Sequence, residues 1–139
     1  MIKFILIPLI IISLNIPIEN IKPEIEVEPE PELESLGEFK ITAYSLDYAS
    51  CGKSPEHPQY GITRSGRRVT PHYTVASDWD VLPKDTKVMI EGFGDTIFNV
   101  EDTGGAVIGK HIDIYMENPD NANDWGLKKR EVWLVEEEE

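Results

Sequence analysis

From Phe39 to Val135 the chain never holds a β-type pattern for more than a handful of residues before a turn signal cuts it. Alternating or β-branched runs recur at Phe39–Tyr44, Tyr73–Ser77, Lys87–Glu91, Thr96–Glu101, His111–Met116 and Glu131–Val135. Each has the ordinary length of one strand. Ser65-Gly66, Gly92-Phe93-Gly94 and Thr103-Gly104-Gly105 separate them. Punctuation this dense leaves no room for long helices and predicts an all-β fold, a small barrel closed or nearly closed. One helical turn is expected near the C-terminus. Asn118 can cap it, Pro119 suits its first position, and Gly126 stops it after Trp125.

The flanks read differently. Residues 1–18 pair Lys3 with an apolar run, Phe4–Ile18, interrupted at Pro8, Ser13, Asn15 and Pro17. That is the length of a signal-peptide core and short of the roughly 20 apolar residues of a membrane-spanning helix. The segment is expected to be a signal peptide or an N-terminal membrane anchor, so the protein is expected to be exported, with a possible tether through residues 4–18. Residues 19–38 set Pro23, Pro29 and Pro31 among eight glutamates. Missing amide donors and like-charge repulsion predict an extended, disordered linker. Residues 39–135 are the expected domain, and 136–139 an acidic tail. The formal charge of −13 falls mostly outside that domain, whose own balance is −3. A chain without a basic stripe repels phosphate backbones, which argues against nucleic acid as a partner. The single cysteine, Cys51, excludes an internal disulfide and reads as a small packing residue.

Three aspartates stand where chemistry is possible. Asp78 follows the second run, Asp102 ends the fourth just before Thr103-Gly104-Gly105, and Asp113 lies between Ile112 and Ile114. Strand alternation turns Asp113 away from both isoleucines and level with His111 and Tyr115. Taken singly each has a plain reading: a capping residue for Asp78, an Asx-type turn for Asp102, a solvent-facing acid for Asp113.

The ordered set of segments resembles the 3D (Asp-Asp-Asp) domain family, related to the membrane-bound lytic transglycosylase A group. It comprises Thr42-Ala43-Tyr44, Cys51-Gly52-Lys53, Gly61-Ile62-Thr63 with Ser65-Gly66, Val75-Ala76-Ser77-Asp78 with Val81-Leu82-Pro83, Glu101 to Ala106, Ile108 to Asp113 and Trp125-Gly126. The chain departs from the usual pattern at Trp79, at Lys84-Asp85-Thr86 and at His111, where arginine is usual. The resemblance implies a double-psi β-barrel that cleaves the bond between N-acetylmuramic acid and N-acetylglucosamine in peptidoglycan glycan strands. In that reaction the muramic 6-hydroxyl closes a 1,6-anhydro ring, so the protein supplies one acid/base and no nucleophile. By motif position Asp113 is that residue. Asp102 and Asp78 complete the catalytic set, while Thr63, Thr103, Gly104, Gly105 and His111 are expected to hold substrate. An acid at position 113 needs a pKa above the ordinary aspartate value, which burial or neighbouring carboxylates supply.

Two other readings fit the same residues. A non-catalytic module could hold wall glycan by stacking Trp79, Tyr115, Trp125 and Trp133 on sugar rings. Three converging carboxylates could instead bind a hard cation such as Ca²⁺. No EF-hand spacing and no zinc pattern among His57, His72 and His111 supports the latter, and no cofactor or metal is expected.

Overall fold

Alternating apolar residues in six short strands need a common interior, and the strands find it by closing on themselves. The computed structural model describes residues 33–136. The strands are β1 (Leu33–Tyr44), β2 (Thr74–Ser77), β3 (Lys87–Ile90), β4 (Phe98–Asp102), β5 (His111–Tyr115) and β6 (Lys128–Val135). The helices are α1 (Tyr48–Cys51) and α2 (Pro119–Trp125). Every strand has two neighbours in the cyclic order β1-β5-β2-β4-β3-β6, so the sheet has no open edge. The pairs β1–β5 and β2–β4 are parallel and the other four antiparallel.

Phe39, Ile41, Val75, Val88, Ile90, Phe98, Val100, Ile112, Ile114 and Val132 turn inward and form one core with Leu82. α2 is built as its sequence requires: the Asn118 side chain accepts from the Asp120 amide, Pro119 opens the helix, and Gly126 ends it. Its Trp125 packs on Phe93, which meets Phe98 edge-on, and the Trp125 indole donates to the Ile41 carbonyl.

Strand ends shift by one or two residues from the sequence expectation at β2 to β5, and three differences are larger. β1 begins at Leu33, so residues 33–38, assigned to the linker, are strand. Leu33, Glu34, Ser35, Gly37 and Glu38 pair antiparallel with the end of β6, and a bulge between Ser35 and Gly37 lets Gly37 take a positive φ of 81°. The partner strand satisfies backbone groups that an acidic, glycine-containing sequence would otherwise leave to water. β6 likewise starts three residues early, at Lys128. α1 had no counterpart in the sequence reading. It is a single turn closed by Gly52 at φ 66°. The export segment 1–18, the linker up to residue 32 and the tail from 137 lie outside the described residues.

Candidate active site

Asp113 occupies the middle of β5, between the inward Ile112 and Ile114, and therefore points to the outer face of the barrel. Thr42 of β1 stands in register with it on one side and Ala76 of β2 on the other. Beyond Ala76 comes Asp102 of β4. A row Thr42–Asp113–Ala76–Asp102 thus crosses four strands. The register of β2 on β4 slips in that row: Val75 faces Val100, yet Ala76 faces Asp102. The extra residue is Glu101, which turns into the protein to bond Thr74, Asn99 and Arg67. A bulge is a means of re-aiming a side chain, and this one brings Asp102 rather than Glu101 beside Asp113.

The segment from Leu46 to Val69, including α1, covers this face and leaves a cleft of about 530 Å³. Asp102, Asp113, Tyr44, Thr63, Thr103 and Gly104 line it, with Cys51, Lys53 and Arg64 contributed by the covering segment. Asp102 Oδ1 accepts from the amides of Arg64 and Thr103, both at 2.9 Å, which joins the covering segment to the barrel. Its Oδ2 accepts from the Tyr44 hydroxyl at 3.2 Å. Burial, then the charge of Asp102, holds that phenol protonated far above its usual range.

Asp113 Oδ1 lies 2.7 Å from the Thr42 hydroxyl, which donates to it when the carboxyl is ionised. The same Thr42 oxygen lies 2.8 Å from His111 Nε2, and His111 Nδ1 lies 3.0 Å from the Ala106 carbonyl. Burial raises the Asp113 carboxyl above its ordinary value; a Thr42 hydroxyl donating to the carboxylate and a charged His111 would each oppose this, the Asp102 charge adds to it, and the net shift is upward. Burial pushes the His111 imidazole down, as does Lys40, against the opposing pulls of Ala106 and Asp113.

Of the expected catalytic aspartates, two share the cleft and the third does not line it. Asp78 Oδ2 accepts from the Gly109 amide at 2.8 Å and Oδ1 from the Asp80 amide at 3.1 Å, and these two bonds hold its carboxyl below the usual range. It pins the turn that leads into β5. Among the expected substrate contacts, Thr103 and Gly104 line the cleft, whereas exposed Gly105 does not. Thr63 lines it but is buried, with its hydroxyl bonded to Ser65 and the Arg67 carbonyl. His111 lies outside the cleft lining: it is 5% exposed, and both ring nitrogens face protein partners. Two of the aromatics considered for sugar stacking are committed elsewhere. Trp79 packs on the core and donates to the Asp102 carbonyl, and Tyr115 is buried against Tyr44. Thr42 and Tyr44 were quoted in the motif without a role; their alternation with inward Phe39 and Ile41 is the signal that places both on the Asp113 face. No group of three or more His, Cys, Asp or Glu side chains is disposed to hold a metal among the described residues.

Comparison with known proteins finds similarity to cell-wall proteins and to one domain family. Residues 73–136 match the family described as the 3D domain. The cell wall-binding protein YocH of Bacillus subtilis is 39% identical over 61 residues, covering 44% of this chain and 21% of that protein. The putative cell wall shaping protein YabE of the same organism is 30% identical over 102 residues, 73% of this chain and 24% of that protein. The chain therefore spans between a fifth and a quarter of the curated relatives it matches. The crystal structure of MltA from Escherichia coli, a lytic transglycosylase, superposes with a TM-score of 0.48 at 24% identity, over 56% of this chain and 28% of that one. The stretch that matches the 3D domain family, residues 73–136, is the one that carries Asp78, Asp102 and Asp113.

Proposed function

We propose that the protein is a peptidoglycan lytic transglycosylase in which Asp113 is the single acid/base. The observation that carries this reading is a carboxyl whose burial raises its pKa, standing in an open cleft beside a second carboxylate. A raised pKa is what an acid working on a glycosidic oxygen requires. Asp113 gives its proton to the leaving oxygen of N-acetylglucosamine as the bond to muramic C1 breaks. The resulting carboxylate takes the proton of the muramic 6-hydroxyl while that oxygen bonds to C1, forming the 1,6-anhydro sugar. Asp102, fixed by three donors, keeps the local potential negative and opposes early ionisation of Asp113. Thr103 and the Gly104 backbone are the substrate contacts of this scheme, and Asp78 acts by holding the Gly109 turn rather than by touching sugar.

On the same reading the barrel has double-psi topology, the partner is the glycan strand, and the protein works outside the cell at the wall. The N-terminal residues 1–18 serve as export signal or anchor, with the domain held off the membrane by the acidic segment that follows. A second reading, glycan binding without cleavage, is favoured by the likeness to a relative named for wall binding. Incubating the protein with purified sacculi and analysing soluble products by mass spectrometry separates the two. Anhydro-muropeptides support cleavage; sedimentation with the wall and no soluble product supports binding alone.

A further inference from the structure

The hydrogen-bond directions around Thr42 leave little freedom for the protons. The Ala106 carbonyl can only accept, so His111 Nδ1 carries a hydrogen in every state that keeps this 3.0 Å contact. A neutral imidazole then presents a bare lone pair at Nε2. Thr42 has one hydroxyl hydrogen and two close neighbours, His111 Nε2 at 2.8 Å and Asp113 Oδ1 at 2.7 Å. If that hydrogen goes to Nε2, the contact with Asp113 lacks one unless the carboxyl supplies it. If it goes to an ionised Asp113, Nε2 must carry a second hydrogen and the ring is an imidazolium. A neutral imidazole beside an ionised carboxylate would set two lone pairs against each other at one of these contacts.

We propose that His111, acting through Thr42, is a positioning residue that fixes the protonation state of Asp113, the two sharing one proton along the chain Asp113 Oδ1–Thr42 Oγ1–His111 Nε2. In the uncharged arrangement Asp113 donates to Thr42 and Thr42 to His111. The charged arrangement follows when Asp113 releases its hydrogen to the Thr42 oxygen as Thr42 passes its own to Nε2. One O–H bond breaks on Asp113, one is exchanged on Thr42, one N–H bond forms, and nothing is oxidised. Charge separation across a half-buried strand pair is costly, so the uncharged arrangement is the resting one. Burial acts in this sense at both ends, upward on the carboxyl and downward on the imidazole. The other titratable groups facing the pair are Lys40 and Tyr44 from β1, Asp102 from β4, and Cys51, Lys53 and Arg64 of the covering segment across the cleft; β2 contributes Ala76 and Ser77 and no charge. Lys40 disfavours the imidazolium and Asp102 the carboxylate, so both add to the preference.

The idea rests on Asp113 as the acid of the proposed reaction, but its test does not require turnover. In the full chain carrying ¹⁵N-histidine, with the His111 signals assigned through His111→Asn, the ring nitrogens at pH 7 should show a protonated Nδ1 and a bare Nε2. An imidazolium, or a hydrogen on Nε2, overturns the proposal. The second readout is the ¹³C carboxyl titration of Asp113. A Thr42 that only donates to a carboxylate lowers the Asp113 pKa, so Thr42→Val would raise it. The shared proton requires the opposite: Thr42→Val and His111→Asn both move the titration downward. Asn retains an amide donor for Ala106 while removing the Nε2 acceptor, and Thr42→Ser, which keeps the hydroxyl, should restore the native titration. An upward shift in Thr42→Val, or a Ser variant that drops as far as Val, rejects the relay. Native tautomer and titrations in a protein that releases no anhydro-sugar would instead reject the enzymatic reading and leave the relay standing.

Discussion

Asp102 and Asp113 flank Ala76 on the outer face of the barrel, one strand to either side of it. Two strand spacings put their backbones about 10 Å apart, with only a methyl group between. Two acids are thereby close enough to feel each other and far enough apart to admit a ligand over Ala76. Without the slip between Val75 and Ala76, the buried Glu101 would stand in that row and Asp102 would face elsewhere.

Replacing Asp113 by Asn should separate function from stability. Amide for acid removes the transferable proton, so release of anhydro-sugars should fall by at least about 10²-fold. The fold should gain. Because burial raises the folded-state pKa above 3.8, the native protein retains this proton in a range where the unfolded chain has lost it. Stability therefore declines as pH rises from 3.8 through the raised value and does not recover above it. Asn escapes that cost. Thermal melts should show Asp113→Asn above the parent at pH 7 and level with it below pH 3.8.

Asp78 should show the reverse sign. Its carboxyl is held low by the Gly109 and Asp80 amides, so its contribution is present at neutral pH and is lost as pH falls below 3.8 through the depressed folded value. Asp78→Asn should melt below the parent at pH 7, with the gap closing in acid. Affinity for isolated glycan should change little, because the side chain does not line the cleft. A loss of glycan affinity with no loss of stability would return Asp78 to the binding surface.

How far the sequence was legible depended on whether a residue's role was settled by its own strand. Ile112 and Ile114 against Asp113 are readable because alternation alone sends them to opposite faces, and Asn118-Pro119 is readable because capping is local. The bulge at Ala76 is not, since Val75 and Val100 alternate normally and only the pairing of two distant segments reveals the slip. The surroundings of His111, expected to hold substrate, were hidden for the same reason. Its charge and direction depend on the Ala106 carbonyl and Thr42, supplied by a loop and by another strand. Leu33–Glu38 was missed because its acids resemble the acidic segment before it, while the partner that makes it a strand lies about a hundred residues later.

That first half of β1 gives a direct test of the domain boundary. A chain beginning at Phe39 loses the pairings of Leu33, Glu34, Ser35, Gly37 and Glu38 with β6, and uncovers an edge beside buried Val132 and Val135. At about 0.2–1 kcal/mol for each of the five cross-strand pairs, the expected loss is about 1–5 kcal/mol. Urea denaturation of chains starting at Leu33 and at Phe39 measures it. Equal midpoints would mean that the segment is an ornament of the barrel and not part of it.

Gly104 sits in the cleft wall under tighter constraint than its turn suggests. Its backbone does not take a positive φ, so conformation alone would tolerate alanine. Space would not: a Cβ built there meets Val107 Cγ2 at 2.9 Å, and Val107 is buried. Relief requires the 104–107 turn to open, and that turn carries the Ala106 carbonyl which orients His111. Gly104→Ala should therefore cost about 1–3 kcal/mol in stability and disturb the His111 ring signals together. Adding Val107→Ala removes the colliding methyl groups, at the expense of core volume. A double-mutant cycle should accordingly show strong favourable coupling, the pair being less destabilised than the sum of the single changes. Additive effects would mean that Gly104 is required for close approach of a ligand rather than for the packing of its own turn.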